Sequence, residues 1–279
     1  MKTAREFIDK FHNTRTLPNV VSELSRLMSD PNSTAEDFED VMKMDPTLVA
    51  KLLQMVNSPF YGLSQEVRSI SRAIVFVGMK NLHSLAVTDA LKNLFKDSGD
   101  GSSFSRKRLW FHSAAVSICA KMLAERIFAV NGEDACLCGI LHDFGIIVEE
   151  QIDHENFIKA CNECRPDGSL TETEAQYLGT NHCKIGYLLA QDWHMQPELQ
   201  KAILNHHNYQ DEVDPSSLRG ILQISEYIIN KMKYTVLENT IPAIPASLAA
   251  HMEENIDEYK ILIDDLPKEI EKAKVIYEN

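Results

Sequence analysis

Gly139-Ile140-Leu141-His142-Asp143-Phe144-Gly145 sets an ionisable doublet inside an apolar segment. Apolar residues on both sides predict burial, and buried imidazoles and carboxylates need partners. The surrounding periodicity is helical, so residues 133–150 read as one helix that carries the doublet. Neighbouring helix positions lie about 100° apart, which lets His142 and Asp143 both lean toward one site.

Working outward, four more histidines share this setting. His112 follows Leu109-Trp110-Phe111 and precedes Ala115, Val116 and Cys119. His182 opens His182-Cys183-Lys184-Ile185-Gly186, and Leu199, Ile203, His206 and His207 keep the spacing i, i+4, i+7, i+8. One buried histidine is ordinarily a satisfied core residue. Five on four helices, one with an aspartate beside it, are hard to satisfy separately. A shared divalent metal answers the problem, because it takes neutral imidazole nitrogens and a carboxylate oxygen together.

Helical patterns fill most of the chain. They are expected over 109–123, 133–150, 155–164, 170–193, 197–207 and 216–232, with a charged closing helix in 253–279. In the N-terminal half, Val20, Val21, Leu24, Leu27 and Met28 form a first stripe. Ser33-Thr34-Ala35-Glu36 reads as a capping box. Asp45-Pro46 starts a third helix, and Pro59 stops it. Further helices run from Ser69 and over 81–94. No alternating strand pattern and no internal repeat is found. Asp97-Ser98-Gly99-Asp100-Gly101-Ser102-Ser103 is small, polar and glycine-rich, and reads as a linker.

Lys and Arg number 28 against 41 Asp and Glu, for a formal net charge of −13. That charge repels nucleic acid and anionic lipid, so neither is an expected partner. The apolar runs are too short for a membrane span, and Met1-Lys2-Thr3-Ala4-Arg5-Glu6 carries no apolar leader core. Six cysteines inside helical patterns read as thiols of a reducing cytoplasm, the expected location. Cys161-Asn162-Glu163-Cys164 lacks the second pair of a zinc ribbon.

The order His, His-Asp, His, His-His resembles the HD superfamily of metal-dependent phosphohydrolases. From about residue 16 to 229 the chain resembles the HDOD family, the HD-related output domain of bacterial signalling. The likeness is carried by Leu17-Pro18, Asp45-Pro46-Thr47-Leu48, Leu52-Leu53-Gln54-Met55-Val56-Asn57-Ser58-Pro59-Phe60-Tyr61-Gly62, Ile70-Ser71-Arg72-Ala73-Ile74 and Val77-Gly78. It continues through Leu109-Trp110-Phe111-His112-Ser113, the 139–145 segment, Glu174 through His182 to Gly186, Trp193, Pro197 and His206-His207.

The resemblance implies an all-α, multi-helix HD-like bundle with an N-terminal helical lobe packed on it. The expected parts are an N-terminal lobe (1–96), a linker (97–104), an HD-like core (105–235) and a C-terminal helical extension (236–279), together one HDOD unit. It implies that His112, His142, Asp143, His182, His206 and His207 line one cavity. HD enzymes add a late aspartate, and Glu226 stands there in Leu222-Gln223-Ile224-Ser225-Glu226-Tyr227. The related HD-GYP phosphodiesterases carry a lysine where this chain has Ile146, and Asn208-Tyr209-Gln210-Asp211 lacks their GYP signature.

One or two divalent transition metals, drawn from iron, manganese, zinc and nickel, suit such mixed ligands, with Asp143 as bridge and water activator. Lys184 and Arg108 are the candidate phosphate-binding cations. The expected function is a regulatory HDOD protein with a retained metal site and little or no catalysis. The alternatives are an active phosphohydrolase for a nucleotide or cyclic dinucleotide, and a metal-free interaction module. No receiver, GGDEF or DNA-binding domain is expected to accompany the HDOD-like region. The expected partners are therefore signalling proteins met by surface contact and a phosphate-containing small molecule.

Overall fold

Helix follows helix from α1 (Ala4–Thr14) to α16 (Ile256–Glu278), and among the described residues there is no strand. The structure, a computed structural model, describes residues 2–14, 19–57, 67–92, 104–193, 195–238, 240–241 and 243–278. The Leu17-Pro18 motif, the Pro59 stop, the polar stretch 97–103 and His194 lie outside them. The chain divides into two compact units, one of residues 12–94 and 192–195, the other of 1–11, 95–191 and 196–279.

The smaller unit holds α2 (Asn19–Ser29), α3 (Ala35–Met42), α4 (Pro46–Val56), α5 (Ile70–Val77) and α6 (Met79–Lys92). The capping box falls one residue later than the sequence suggests. Thr34 Oγ1 accepts the Asp37 N–H at 3.3 Å, and the Asp37 carboxylate accepts the Thr34 N–H at 2.7 Å. Asp37 beats Glu36 because only the residue three past the cap can reach back to it. Asp45 caps α4 as expected, accepting the Leu48 N–H at 3.1 Å. Where α2 packs on α6, Ser25 Oγ lies 2.7 Å from His83 Nε2. Burial pulls that imidazole down to about 4.

The larger unit is built on α7 (Arg106–Arg126), which packs against α8 (Glu133–Leu141), α14 (Leu218–Lys231) and α16. Around it run α9 (Phe144–Ile152), α10 (His154–Glu163), α11 (Leu170–Leu178), α12 (His182–Asp192), α13 (Pro197–Asn205) and α15 (Ala246–Glu254). Two of the long predicted helices are broken. Residues 133–150 split at His142-Asp143, where Asp143 leaves helical geometry (φ −99°, ψ 8°). Residues 170–193 split at Gly179, which takes the left-handed conformation (φ +84°) that glycine adopts without strain. Apolar spacing runs through both breaks, so periodicity alone does not reveal them.

No helix among the described residues is long and apolar enough to cross a membrane. All six cysteines are unpaired thiols.

Candidate metal centre

The breaks explain how the doublet aims at one point. His142 caps the end of α8 and Asp143 the start of α9, so the two side chains are not forced apart by helical rotation. Asp143 occupies the cap position of α9 yet makes no capping bond. Its carboxylate turns inward to the histidines instead. His182 opens α12, and His206 ends α13 with His207 just beyond. His112 and Glu226 project from the middles of α7 and α14. All seven candidate ligands therefore converge, and all are buried except the half-buried His207.

Four imidazoles are held alike. Nδ1 of His112 lies 2.7 Å from the Tyr234 carbonyl, Nδ1 of His142 2.8 Å from that of Gly139, and Nδ1 of His206 2.6 Å from that of Ile203. Nδ1 of His182 lies 2.7 Å from Glu174 Oε2. A carbonyl or carboxylate oxygen only accepts, so each Nδ1 carries the proton and donates it. In the neutral ring each Nε2 then presents a lone pair to the interior, the arrangement of metal-ligating histidines.

Those four nitrogens face oxygens that are themselves acceptors. Nε2 of His112 and of His142 lie 3.1 and 3.4 Å from Glu226 Oε1, and 3.6 and 3.3 Å from Asp143 Oδ2. On the other side, Nε2 of His182 and of His206 lie 3.4 and 3.3 Å from Asp143 Oδ1. Asp143 thus joins two clusters, one oxygen to each. His142 Nε2, His182 Nε2 and Asp143 Oδ1 have no hydrogen-bond partner although buried.

The charges register the conflict. Burial alone would lift the Asp143 and Glu226 carboxyls, but the imidazoles facing them hold both well below the usual carboxylate range. Burial alone would lower the His142 imidazole, yet the Asp143 carboxylate outweighs it and lifts the ring to about 9. His182 and His206 are likewise held high against burial, chiefly by Cys183 and by the carboxylates beside them.

The donor set fits divalent metal. Ligand atoms about 2.0–2.2 Å from one ion, at angles between octahedral and tetrahedral, stand about 3.0–3.4 Å apart. The separations here match. Each of two oxygens also faces the same two nitrogens, so a central cation serves four contacts where protons serve two. His112, His142, Asp143 and Glu226 form one group whose ligand atoms lie within 4.8 Å of one another, and His182, Cys183, His206 and His207 form another.

Sequence reasoning gave no role to several residues that shape this site. Glu174 accepts both the His182 ring proton and its backbone N–H, the latter at 3.1 Å. Gln223 Nε2 donates to the carbonyls of His206 and Asn208 at 3.0 and 2.9 Å, fixing the chain where the His206-His207 pair leaves α13. The Tyr209 hydroxyl lies 2.8 Å from His207 Nδ1. Cys183 Sγ lies 4.0 Å from His206 Nε2. Glu174 has a sequence signal in its place within the family-like run; Cys183 has only its position beside a candidate ligand.

A cavity of about 390 Å³ opens on the cluster, lined by His112, Asp143, His182, His207 and Glu226 together with Ile146, Tyr209 and Arg165. Ile146 lines it as an apolar wall. Neither proposed phosphate cation does so. Lys184 is exposed on α12, and Arg108 lies at a different cavity, paired to Glu238 at 2.9 Å.

An all-helical bundle that gathers histidines and an aspartate from helix ends, with a further histidine and a late carboxylate from the middles of two more helices, has the architecture of HD-like domains. Residues 15–209 match the HDOD domain, and the chain belongs to the HDOD family. Among similar solved structures is an HDOD domain protein of unknown function from Geobacter sulfurreducens. It is 22% identical, with 94% of this chain and 96% of that one covered and a TM-score of 0.64. A Shewanella amazonensis protein, provisionally called a phosphohydrolase, is 25% identical over 95% of this chain and 92% of its own, with a TM-score of 0.64. An uncharacterised Treponema pallidum protein is 26% identical over 263 residues, which are 88% of this chain and 47% of that protein. The chain thus spans about half the length of that relative.

Proposed function

We propose that this protein is a regulatory HDOD module whose histidine and carboxylate cage holds two divalent transition metals, with little or no turnover. His112, His142, Asp143 and Glu226 would hold one ion. Asp143, His182 and His206 would hold the other, with His207 and Cys183 at its edge. The observation that carries this reading is the convergence of four imidazole Nε2 atoms, each with its Nδ1 already bound elsewhere, on two buried carboxylates at 3.1–3.6 Å. Mixed imidazole and carboxylate donors favour iron, manganese, zinc or nickel over magnesium.

When bound, such ions polarise a phosphoryl oxygen and lower the pKa of a water at the site. The chain's own residues do the rest. The carbonyls of Gly139, Ile203 and Tyr234 and the Glu174 carboxylate hold each ring proton on Nδ1. Asp143 ties the two clusters, so a change in one is felt by the other. Ile146 offers the cavity no charge to grip a phosphate, which supports regulation over rapid catalysis. We place the protein in the cytoplasm, with a signalling protein as the partner that reads the helix arrangement.

Arg165 and the cavity at the cage favour a second reading, hydrolysis of a phosphate ester, the activity provisionally ascribed to the Shewanella protein. Metal analysis of protein purified without chelator, beside His142→Ala/Asp143→Ala, tests the first reading. About two equivalents of transition metal, lost in the variant, are expected; a wild type without metal after reloading refutes both. Hydrolysis of nucleotides or cyclic dinucleotides by the loaded protein would move the assignment to the second.

A further inference from the structure

A second cavity, of about 500 Å³, lies at the start of α7. Its walls include Lys107, Arg108, Phe111, Lys233, Tyr234 and Glu238. Among the described lining residues three cations meet one carboxylate, in a chain whose formal net charge is −13. The run Arg106-Lys107-Arg108 places positive charge on the first turn of α7, where the helix dipole disfavours it. Arg106 is answered by the buried Glu150, with its Nε 2.9 Å from Oε2. Arg108 is answered in part: one guanidinium nitrogen reaches Glu238, while Nη1 is buried without a hydrogen-bond partner. Lys233 adds the third cation from just past the end of α14, where its left-handed backbone (φ +70°) is a helix stop, with the Tyr234 N–H donating to the Ile229 carbonyl at 3.1 Å. The ring of Phe111 already carries a cation, with Lys107 Nζ 5.9 Å from its centroid.

We propose that this cavity binds a mononucleotide, with its phosphate on Arg108, Lys107 and Lys233 and its base against Phe111 and Tyr234. A planar guanidinium with an idle N–H suits a phosphate's paired oxygens. The volume falls within the range of small-molecule sites, and the aromatic wall suits a flat base. The binding claim does not depend on the metal reading. Its consequence does: the Tyr234 carbonyl accepts the His112 Nδ1–H at 2.7 Å, so the pocket wall holds one imidazole of the cage. A nucleotide seated against Tyr234 therefore bears on metal affinity, and metal on nucleotide affinity by the same factor.

Isothermal titration calorimetry of the full chain with AMP, pyrophosphate and adenosine tests the site. AMP is expected to bind more tightly than either of the others. Arg108→Ala and Lys233→Ala, tested separately, should each weaken AMP by about tenfold or more. The cage variant His142→Ala/Asp143→Ala, or His207→Ala should that pair fail to fold, should still bind AMP. No AMP binding at millimolar concentration overturns the proposal. So does loss in the cage variant with retention in both cation variants, which would place the phosphate at the metal cluster. Pyrophosphate binding as tightly as AMP would make this a general anion site, and adenosine binding as tightly would remove the role of the cations; each overturns the assignment. Metal titration with and without saturating AMP should differ by about fivefold or more, and equal affinities overturn the coupling.

Discussion

Gly145→Ala should loosen one half of the cage without touching a ligand. A Cβ at Gly145 would lie 2.1 Å from the His182 carbonyl oxygen and 2.8 Å from its carbonyl carbon and Cα. Real Cβ contacts do not fall below 3.0 Å, so the first turns of α9 and α12 must part by at least 3.0 − 2.1 = 0.9 Å. The obstacle is backbone, and no rotamer change relieves it. Taken along the line of the cage, that shift opens the 3.4 Å gap between Asp143 Oδ1 and His182 Nε2 by a similar amount. One ion cannot span it, because donor positions tolerate only about 0.2 Å. Overpacking of this kind costs about 1–3 kcal/mol, or a Tm lower by about 5 °C for a chain of this size. Metal in the His182 half should bind at least about tenfold more weakly. Calorimetric unfolding together with metal analysis of the same preparation reads both. A Gly145→Ala protein with wild-type Tm and wild-type metal content would show that the α9–α12 approach does not set the site.

Glu174→Gln keeps the shape but removes the charge that holds the His182 ring proton, and should weaken metal binding by about 10–100-fold in competition with a chelator; equal affinity would refute the role. His83 concerns stability instead. Its folded value, about 4, lies below the ordinary 6.5, so as pH falls the unfolded chain takes the proton first. This contribution is full above pH 6.5 and is lost toward pH 4, a change of about 3 kcal/mol. Denaturant unfolding across that window should show a shallower pH slope in His83→Leu than in wild type, and identical slopes would count against it. Cobalt-loaded protein should show a near-ultraviolet thiolate charge-transfer band that Cys183→Ser abolishes; a band that survives would exclude Cys183 from the second cluster.

The helical class is readable because stripes such as Leu48, Leu52 and Val56, or Ile70, Ala73, Ile74 and Val77, recur at helical spacing and are buried almost without exception. The gathering of His112, His142, Asp143, His182 and His206 is foreshadowed by their apolar flanks, since a polar group in an apolar run must find company inside. What periodicity hides is where helices stop. Leu141, Phe144, Ile147 and Val148 continue an apolar pattern across the His142-Asp143 break, and only the backbone reveals that the doublet joins two helices. Glu174 and His182 are eight apart, a spacing that brings nothing together on a continuous helix; the turn at Gly179 makes them neighbours. Arg108 is a similar case. It sits one helical turn before His112, which lines both cavities, yet Arg108 itself lines only the one away from the cage, and sequence cannot say which pocket a helical side chain reaches.

Five of the seven candidate ligands stand at or just past helix ends: His142, Asp143, His182, His206 and His207. Ends are where helices fray, and the amides there are ordinarily the first to exchange with solvent. Here the fraying of four separate termini is tied to a single cluster of charge. Opening any one of them withdraws a donor, and losing the cluster's central charge leaves the others to repel or to seek protons. The end residues of α8, α9, α12 and α13 should therefore exchange as one cooperative unit, slow together in the occupied protein and fast together after chelation. Order at those four termini is then the quantity through which an internal ion becomes visible at the protein's surface.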